Sequence, residues 1–290
     1  MNLLTTDNKQ KIAVVTDSTG DLSEQQIKEY DIKLLPLKVV YSDRQYIDRV
    51  TIQPDEVYAS FEKEIPTTSM PSPGEARAMF EQLAQEGFTD VISIHISSGL
   101  SGTYQMVKAV AQQMKDKINI EVVDSKALSL GLGFLVLEAQ SMISSDRSFE
   151  EVVTRVRQLQ QRIKVFFVVK TLEFLRKGGR IGYVAGTIGE MLNVKPIISI
   201  NEEGKYYTYQ KVRGRKKSLD MLVQIIKEQA AGKNIIAAVM HGDAEEEARG
   251  VKEKLTSPNI DIRGFGQISP VMGVHAGPGL IGVAFYEAME

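Results

Sequence analysis

The chain of 290 residues contains no cysteine and only three histidines, His95, His241 and His275. The lack of cysteine excludes disulfides, thiolate nucleophiles and thiolate metal sites, and it fits a reducing compartment. The histidines lie far apart in sequence and form no H-x-x-x-H or H-E-x-x-H pair, so the sequence does not favour a zinc site. We therefore expect neither a metal ion nor a cofactor.

An excess of charge of either sign is also missing. The chain has 35 lysines and arginines against 37 aspartates and glutamates, which gives a net charge of −2. Such a chain has no overall positive field to hold nucleic acid or anionic lipid, so any anion-binding site must be local. Its 43% hydrophobic and 25% charged residues are typical of a folded globular protein, and its length suits about two domains.

Long apolar runs of the kind found in secretory signals and membrane spans are lacking. The first ten residues contain only a Leu-Leu pair, so we expect the protein to stay in the cytoplasm. Residues 127–137 and 264–286 are uncharged, but a membrane span needs about 20 apolar residues in a regular helix. The first stretch is too short, and the second carries six glycines and two prolines. We expect a core helix and a buried irregular or extended segment, respectively.

The first half of the chain alternates apolar runs with amphipathic stretches, a pattern that predicts a parallel sheet with helices on both faces. Predicted strands cover residues 12–15, 32–40, 91–96 and 118–123. Predicted helices cover the segment after Asp21, taken as its N-cap, residues 54–64, residues 73–86 behind a Ser72–Glu75 capping box, and the SSGLSGTYQ turn to about residue 115. The predicted class is α/β, with a three-layer domain on a parallel four-stranded sheet.

The second half shows a different pattern, after helices predicted at residues 127–142 and 149–161. Predicted strands cover residues 165–169, 196–200, 206–212, 235–240, 261–267 and 281–286, with helices at 216–231 and 244–255. A glycine-containing turn at residues 201–204 predicts an antiparallel hairpin, hence a mixed sheet in a two-layer domain. We place the domain boundary near residue 148, giving domains 1–147 and 148–290.

A nucleotide-binding loop is not indicated. Residues 277–282 match G-x-G-x-x-G, but a dinucleotide site needs this loop between a strand and a helix, and here a strand follows. No G-x-x-x-x-G-K-[ST] motif is present in the sequence.

Two hydroxyl-rich segments each precede a predicted helix. Ser98 and Ser101 follow a strand, where hydroxyls and free backbone N–H groups favour an anion, although one serine could serve only as an N-cap. Thr68 and Ser69 are not needed for capping, so they could face a ligand or only solvate a loop. Because ligands of open α/β sheets bind at the carboxyl ends of strands, the two segments could face each other.

A hydrolase is the main alternative from another class. The sequence around Ser101 resembles a G-x-S-x-G nucleophile elbow with its second glycine one place early, and His275 is available as a base. His275 could instead be a buried core histidine, or a donor to an anion.

Two short segments are strongly basic. Arg213 and Arg215 belong to the run KVRGRKK at a predicted helix start, where cations oppose the helix dipole unless an anion or acidic partner is near. Arg180 follows two glycines in KGGR, which would let the backbone approach a partner closely. Solvated surface and nucleic-acid binding are the alternatives, although the net charge does not suggest the latter.

Five segments in this order, TTSMPSPGE, SSGLSGTYQ, TLEFLRKGGRI, KVRGRKK and GVHAGPGLIG, resemble the DegV family. These are bacterial fatty-acid-binding proteins that serve as acyl-carrying subunits of fatty acid kinase. The resemblance covers essentially the whole chain. It implies a parallel four-stranded domain and a mixed six-stranded domain that hold a long-chain fatty acid, such as palmitate, between them, with no catalysis by the protein itself.

The resemblance also implies roles for particular residues. Thr68 and Ser69 occupy the T-S-x-P-S motif and Ser101 the L-S-G-T-Y motif, so these three would bind the carboxylate, joined by Ser98 and His275. The family's arginines fall on Arg180, Arg213 and Arg215, which would serve an ATP-dependent fatty acid kinase. Met70 stands where the family commonly has glutamine.

A buried carboxylate needs several donors, and hydroxyls with helix N-terminal N–H groups supply them. At about 0.8 kcal/mol per buried CH₂, a 16-carbon tail would gain roughly 10 kcal/mol before ordering costs. The candidate lining residues of the apolar slot are Phe166, Phe167, Val168, Ile188, Met191, Leu192 and Ile198.

Overall fold

The computed structural model describes residues 10–187 and 194–288. The strands are β1 (Ile12–Asp17), β2 (Lys33–Leu35), β3 (Lys38–Val40), β4 (Gln45–Ile47), β5 (Thr67–Ser69), β6 (Asp90–His95), β7 (Asn119–Asp124), β8 (Lys164–Val168), β9 (Ile197–Ile200), β10 (Tyr206–Gln210), β11 (Ile235–Gly242), β12 (Ile260–Gln267) and β13 (Leu280–Glu287). The helices are α1 (Glu24–Glu29), α2 (Pro54–Ser60), α3 (Pro73–Gln85), α4 (Thr103–Met114), α5 (Leu130–Ser144), α6 (Phe149–Gln160), α7 (Glu173–Lys177), α8 (Arg215–Gln229), α9 (Glu245–Leu255) and α10 (Pro270–Ala276).

The first domain is built on a parallel sheet with the strand order β2-β1-β6-β7. Alternate residues of β1 point to opposite faces. Val15 packs with Phe80 of α3 and Val107 of α4, whereas Val14 belongs to the core formed with α5 and α6. This arrangement confirms the predicted three-layer domain.

The second domain contains a six-stranded sheet with the order β10-β9-β8-β13-β11-β12. Its β11 and β12 are parallel and the other neighbours are antiparallel, which confirms the predicted mixed sheet. Helices α8 and α9 cover one face through Leu222 and Val251. The opposite face, including Phe167 and Ala284, shares a core with Leu132 of α5, so the first domain covers it.

The prediction of one strand over residues 32–40 is wrong. The chain breaks at Pro36, because proline has no N–H for a sheet ladder and disrupts a continuing strand. After the break, β3 leaves the parallel sheet and forms a small antiparallel sheet with the order β4-β3-β5. Thr68 and Ser69, predicted in a loop, lie in β5 at the edge of this sheet.

Two predictions about helix ends have different outcomes. Ser72 caps α3 as predicted, since its Oγ accepts from the N–H of Glu75 at 3.2 Å. Asp21 is not the N-cap of α1; Ser23 takes that position and forms a capping box with Gln26. Asp21 adopts a left-handed backbone conformation with φ of 52° and its side chain is fully buried.

The segment of residues 264–286 is buried and extended in β13, as predicted, but the prediction is wrong for α10, which lies inside this segment as a regular helix. Proline at its first position and a left-handed Gly277 after its last residue, with φ of 72°, give a short helix with defined ends. Buried carboxylates of the first domain hold its start: Asp21 accepts from the N–H of Ser269 at 2.8 Å, and Asp48 from the N–H of Val271 at 3.0 Å. Burial raises the pKa of Asp21, and it raises the pKa of Asp48 to about 6.

No helix among residues 10–187 and 194–288 is long and apolar enough to cross a membrane. The same residues contain no cluster of histidine, aspartate and glutamate side chains that could hold a metal ion.

Candidate carboxylate and acyl-chain site

A cavity lies between the two domains, where the inner face of the mixed sheet meets the start of α5, strand β5 and helix α10. The empty space within its lining, including the part open to solvent, is about 880 Å³. We call this cavity the acyl slot. Its apolar lining consists of Leu37, Met70, Ile96, Leu100, Leu128, Val165, Phe167, Leu175, Met240, Ile268, Val271, Met272, Ala276, Leu280, Val283 and Ala284.

Five polar side chains of the lining come from four separate parts of the chain: Thr68, Ser69, Ser101, Arg180 and His275. We call these five residues the polar cluster. Among the described contacts, one hydrogen bond joins two of its members directly, Thr68 and His275. The sequence separation between Thr68 and His275 is 207 residues, so only the folded chain brings these groups together.

Thr68 and His275 form a hydrogen bond of 2.7 Å between Oγ1 and Nε2. Burial, with a smaller contribution from the nearby Arg180 charge, lowers the pKa of His275 to about 4, so its ring is neutral at neutral pH. The other ring nitrogen, Nδ1, is buried against Gly178 and has no partner among the described residues. A neutral imidazole carries one N–H. When this proton is on Nε2, the ring donates a hydrogen bond and the Thr68 oxygen accepts it. The hydroxyl proton of Thr68 is left to be donated to a ligand.

Ser101 lies just before α4 and lines the slot. Its Oγ accepts from the N–H of Thr103 at 3.3 Å and lies 2.9 Å from the Thr103 hydroxyl oxygen. Ser101 therefore helps to stabilise the start of α4, and its side chain also lines the slot. The two hydroxyl segments lie side by side, because a Cβ atom placed on Gly102 would be only 3.2 Å from Sδ of Met70.

Arg180 is fixed by two backbone carbonyls. Its Nη1 donates to the carbonyl of Gly178 at 2.6 Å and its Nε to that of Leu100 at 3.3 Å. A guanidinium has five N–H donors. The two bonds hold the Arg180 side chain in place and leave its other N–H groups available to a ligand. Arg180 is the cationic residue of the slot lining. It lies next to the loop that carries Ser101 and near His275.

A buried network supports the loop that carries Ser101. Asp17 accepts from the Nδ1–H of His95 at 3.0 Å and from the N–H of Ile96 at 2.9 Å, and Ser93 lies 2.7 Å from Nε2 of His95. The order Ser-His-Asp is that of a hydrolase triad, but all three side chains are at most 1% exposed. Substrate cannot reach them, so this network holds the ends of β1 and β6 in place.

The structure does not bring Ser98 into the slot lining. Its Oγ lies 3.2 Å from Nζ of Lys126, and its N–H donates to Asp124 at 3.0 Å; neither partner lines the cavity. The neighbouring Ser97 is buried and donates to the carbonyl of Gly204 at 2.8 Å. Successive residues of this tight turn point in different directions, so of the two candidate serines only Ser101 reaches the cavity.

The predicted cations lie in different environments. Arg215 makes a two-pronged ion pair with Glu247, with distances of 3.0 and 2.7 Å, and this bond lowers the pKa of Glu247. Arg215 therefore has a structural role between α8 and α9, which the sequence did not indicate. Arg213 is exposed on the loop before α8. Neither arginine belongs to the slot lining.

The predicted apolar lining is only partly found. Phe167 lines the slot, whereas Phe166 and Val168 point to the opposite face of β8 and pack under α8 and α9. Ile198 is buried in the same core as Phe167 but does not line the slot. Ile188, Met191 and Leu192 lie outside the described residues.

Several lining residues were missed by sequence reasoning. Met240, Leu280 and Ala284 come from β11 and β13, and Leu128 from the turn before α5. The strand alternation could have assigned them to one face of the mixed sheet, but nothing in the sequence says which face meets the first domain.

The geometry also bears on the alternative of a serine hydrolase. His275 Nε2 is hydrogen-bonded to Thr68, while the Ser101 hydroxyl is next to Thr103. A nucleophile and its base must lie within hydrogen-bond reach of each other. The described contacts pair each of these residues with a threonine instead.

Comparison with known proteins agrees with this architecture. Residues 11–288 match the protein family described as DegV, uncharacterised protein. A DegV domain-containing protein of Clostridium acetobutylicum is 46% identical over 280 residues, which cover 96% of this chain and 99% of that protein.

Two solved structures have the same fold over nearly their whole length. A fatty-acid-binding DegV family protein from Thermus thermophilus superposes with a TM-score of 0.90 at 31% identity, covering 96% of this chain and all of that one. A stearic-acid-binding protein from Eubacterium ventriosum gives a TM-score of 0.85 at 28% identity, covering 95% and 98%. With a family match over almost the full sequence and a close relative of equal length, this chain belongs to the DegV family.

Proposed function

We propose that this protein binds a long-chain fatty acid, such as palmitate, with its tail in the acyl slot and its carboxylate at the polar cluster. The observation that carries the proposal is the chemistry of this one cavity, whose lining is mainly apolar and also carries hydroxyls, a neutral imidazole and a guanidinium. The fatty acids bound by the Thermus and Eubacterium proteins support the same ligand class.

Thr68, Ser69 and Ser101 are the proposed donors to the carboxylate, with His275 as the residue that orients the Thr68 hydroxyl. Hydrogen bonds to a charged group are the strong ones, and several are needed to offset the removal of a carboxylate from water. Arg180 adds a positive charge beside these donors. We leave Ser98 out of the set because its hydroxyl is next to Lys126.

The protein has no catalytic role in this proposal and acts in the cytoplasm, where it presents the carboxylate to a separate ATP-dependent kinase. The kinase would transfer the γ-phosphoryl group of ATP to a carboxylate oxygen, so that a P–O bond to the acyl group forms and the bond to ADP breaks. The phosphates of ATP must then approach a negatively charged carboxylate, and cations are needed to offset the combined charge. Arg180 and the exposed Arg213 are the proposed candidates; Arg215 is already paired with Glu247.

Mass spectrometry of an organic extract tests the ligand. The purified protein is expected to release about one long-chain fatty acid per chain, or to take one up after delipidation. A protein that contains none and takes up none would refute the proposal. Reaction of Ser101 with a serine-directed phosphonate would instead favour a hydrolase.

A further inference from the structure

A second cavity lies beside the acyl slot, between α5 and the end of β12. The empty space within its lining, including the part open to solvent, is about 940 Å³. The wall of this cavity is mixed. Its apolar part consists of Leu130, Leu137 and Phe265 with the edge-to-face pair of Phe134 and Tyr286. Its polar part consists of Asp21, Ser23, Gln26, Arg49, Glu138, Ser141, Arg263 and Gln267. No member of the polar cluster lines this cavity, so it has none of the proposed carboxylate donors.

Met240 is the one residue, among those described, that lines both cavities. It lies on β11, which is paired on both sides, with β12 and with β13. The backbone of this strand is therefore held by two ladders of hydrogen bonds, and only the side chain of Met240 can yield.

The two residues directly beside Met240 in the sheet are both glycines. Met240 is in register with Gly282 of β13, which lines the slot, and with Gly266 of β12, which lines the second cavity. In-register residues of neighbouring strands share one face of a sheet, so the methionine side chain has no side chain next to it on either strand. A Cβ atom on Gly266 would lie 3.8 Å from the terminal methyl of Met240, so this methyl already lies over Gly266.

We propose that Met240 is a movable wall that limits the length of the acyl chain and lets longer tails extend into the second cavity. This inference rests on the proposed binding of a fatty acid in the slot. A tail whose carboxylate is held at the polar cluster passes Met240 to reach the second cavity. Methionine suits such a wall because it is unbranched, has three rotatable side-chain bonds and fills irregular space. The glycines provide the room on either side.

Two substitutions separate the parts of this mechanism. Met240→Ala removes the wall, so long tails gain access without displacing a side chain. Gly266→Ala fills the room over which the methyl moves. Gly266 itself does not line the slot, and its added Cβ makes only an ordinary contact with Met240. The two variants are expected to shift chain-length preference in opposite directions.

The measurement is the dissociation constant of delipidated protein for saturated acids of about 14 and about 20 carbons, since each methylene that is buried improves affinity roughly fourfold. The ratio of the two constants should move toward the longer acid in Met240→Ala and toward the shorter acid in Gly266→Ala. Met272→Ala is the matched control. Met272 lines the slot but not the second cavity, so its truncation should change both dissociation constants alike.

An unchanged ratio in folded Met240→Ala and Gly266→Ala would overturn the role of Met240. If Met240→Ala does not fold, the ratio in Gly266→Ala decides by itself. A parent protein that binds neither acid would refute the proposed function instead, which keeps the two failures distinct.

Discussion

The hydroxyl of Thr68 offers the sharpest test of the carboxylate site. Thr68→Val keeps the shape of the side chain and removes the oxygen that lies 2.7 Å from His275 Nε2. In the Nε2–H tautomer the neutral ring donates to Thr68, and the threonine proton is then available for a ligand carboxylate. The loss of the Thr68 hydroxyl should leave the apolar lining of the slot intact.

The expected loss of affinity follows from the strength of such bonds. A hydrogen bond to a charged group contributes about 1.5 to 3 kcal/mol, so the dissociation constant should rise roughly 10- to 150-fold. Valine also leaves the buried Nε2–H of His275 without an acceptor, which should lower the free energy of unfolding by about 1 to 3 kcal/mol. This second effect is present with and without ligand and cancels from the affinity.

Isothermal titration calorimetry on delipidated protein measures the affinity, and denaturant unfolding measures the stability. Thr67→Val is the matched control: Thr67 is the neighbouring residue of β5, exposed, with its hydroxyl 3.3 Å from the carbonyl of Val40. Thr68→Ser should retain most of the binding. If Thr68→Val binds fatty acid as tightly as Thr67→Val, the carboxylate lies elsewhere.

Three further predictions concern other residues. Ser101→Ala should weaken fatty-acid binding by about 1 to 3 kcal/mol in the same titration, whereas Ser98→Ala should not, and equal losses would contradict the placement of these serines. Arg213→Ala should leave fatty-acid affinity unchanged and lower acyl-phosphate formation by a kinase; loss of both would place Arg213 in the ligand site. Ionised Asp48 destabilises the folded chain, because its pKa of about 6 lies above the ordinary 3.8. Its contribution to the free energy of unfolding should therefore rise by roughly 3 kcal/mol as pH falls from above 6 to below 3.8. Asp48→Asn, measured by unfolding across pH, should lose this dependence, and an unchanged profile would assign it to other groups.

Local patterns in the sequence predicted most of the fold. The capping box of Ser72 and Glu75 defined the start of α3, and the hydroxyls of Thr68, Ser69 and Ser101 line the cavity that we assign to the ligand. Such signals succeed because they depend on contacts within a few residues.

The rest depends on contacts between distant parts of the chain. Helix α10 is only seven residues long, and its start is held by Asp21 and Asp48 from the other domain, which no local pattern reveals. Phe166 and Phe167 are equally apolar, and only the packing of the domains decides which of them faces the slot. The role of Arg215 depends on Glu247, 32 positions away, for the same reason.

The bonds from Asp21 and Asp48 to α10 also bear on how a ligand would leave. Hinging the domains apart would break both bonds to these carboxylates, each worth about 1.5 to 3 kcal/mol. Together they would slow escape by that route by roughly two to four orders of magnitude. Exchange of the bound fatty acid would then depend on small movements where the slot opens to solvent near Met70, a lining residue that is 43% exposed. The dwell time of a bound acid would be governed by this local segment, and a protein that touches it could control release without moving either domain.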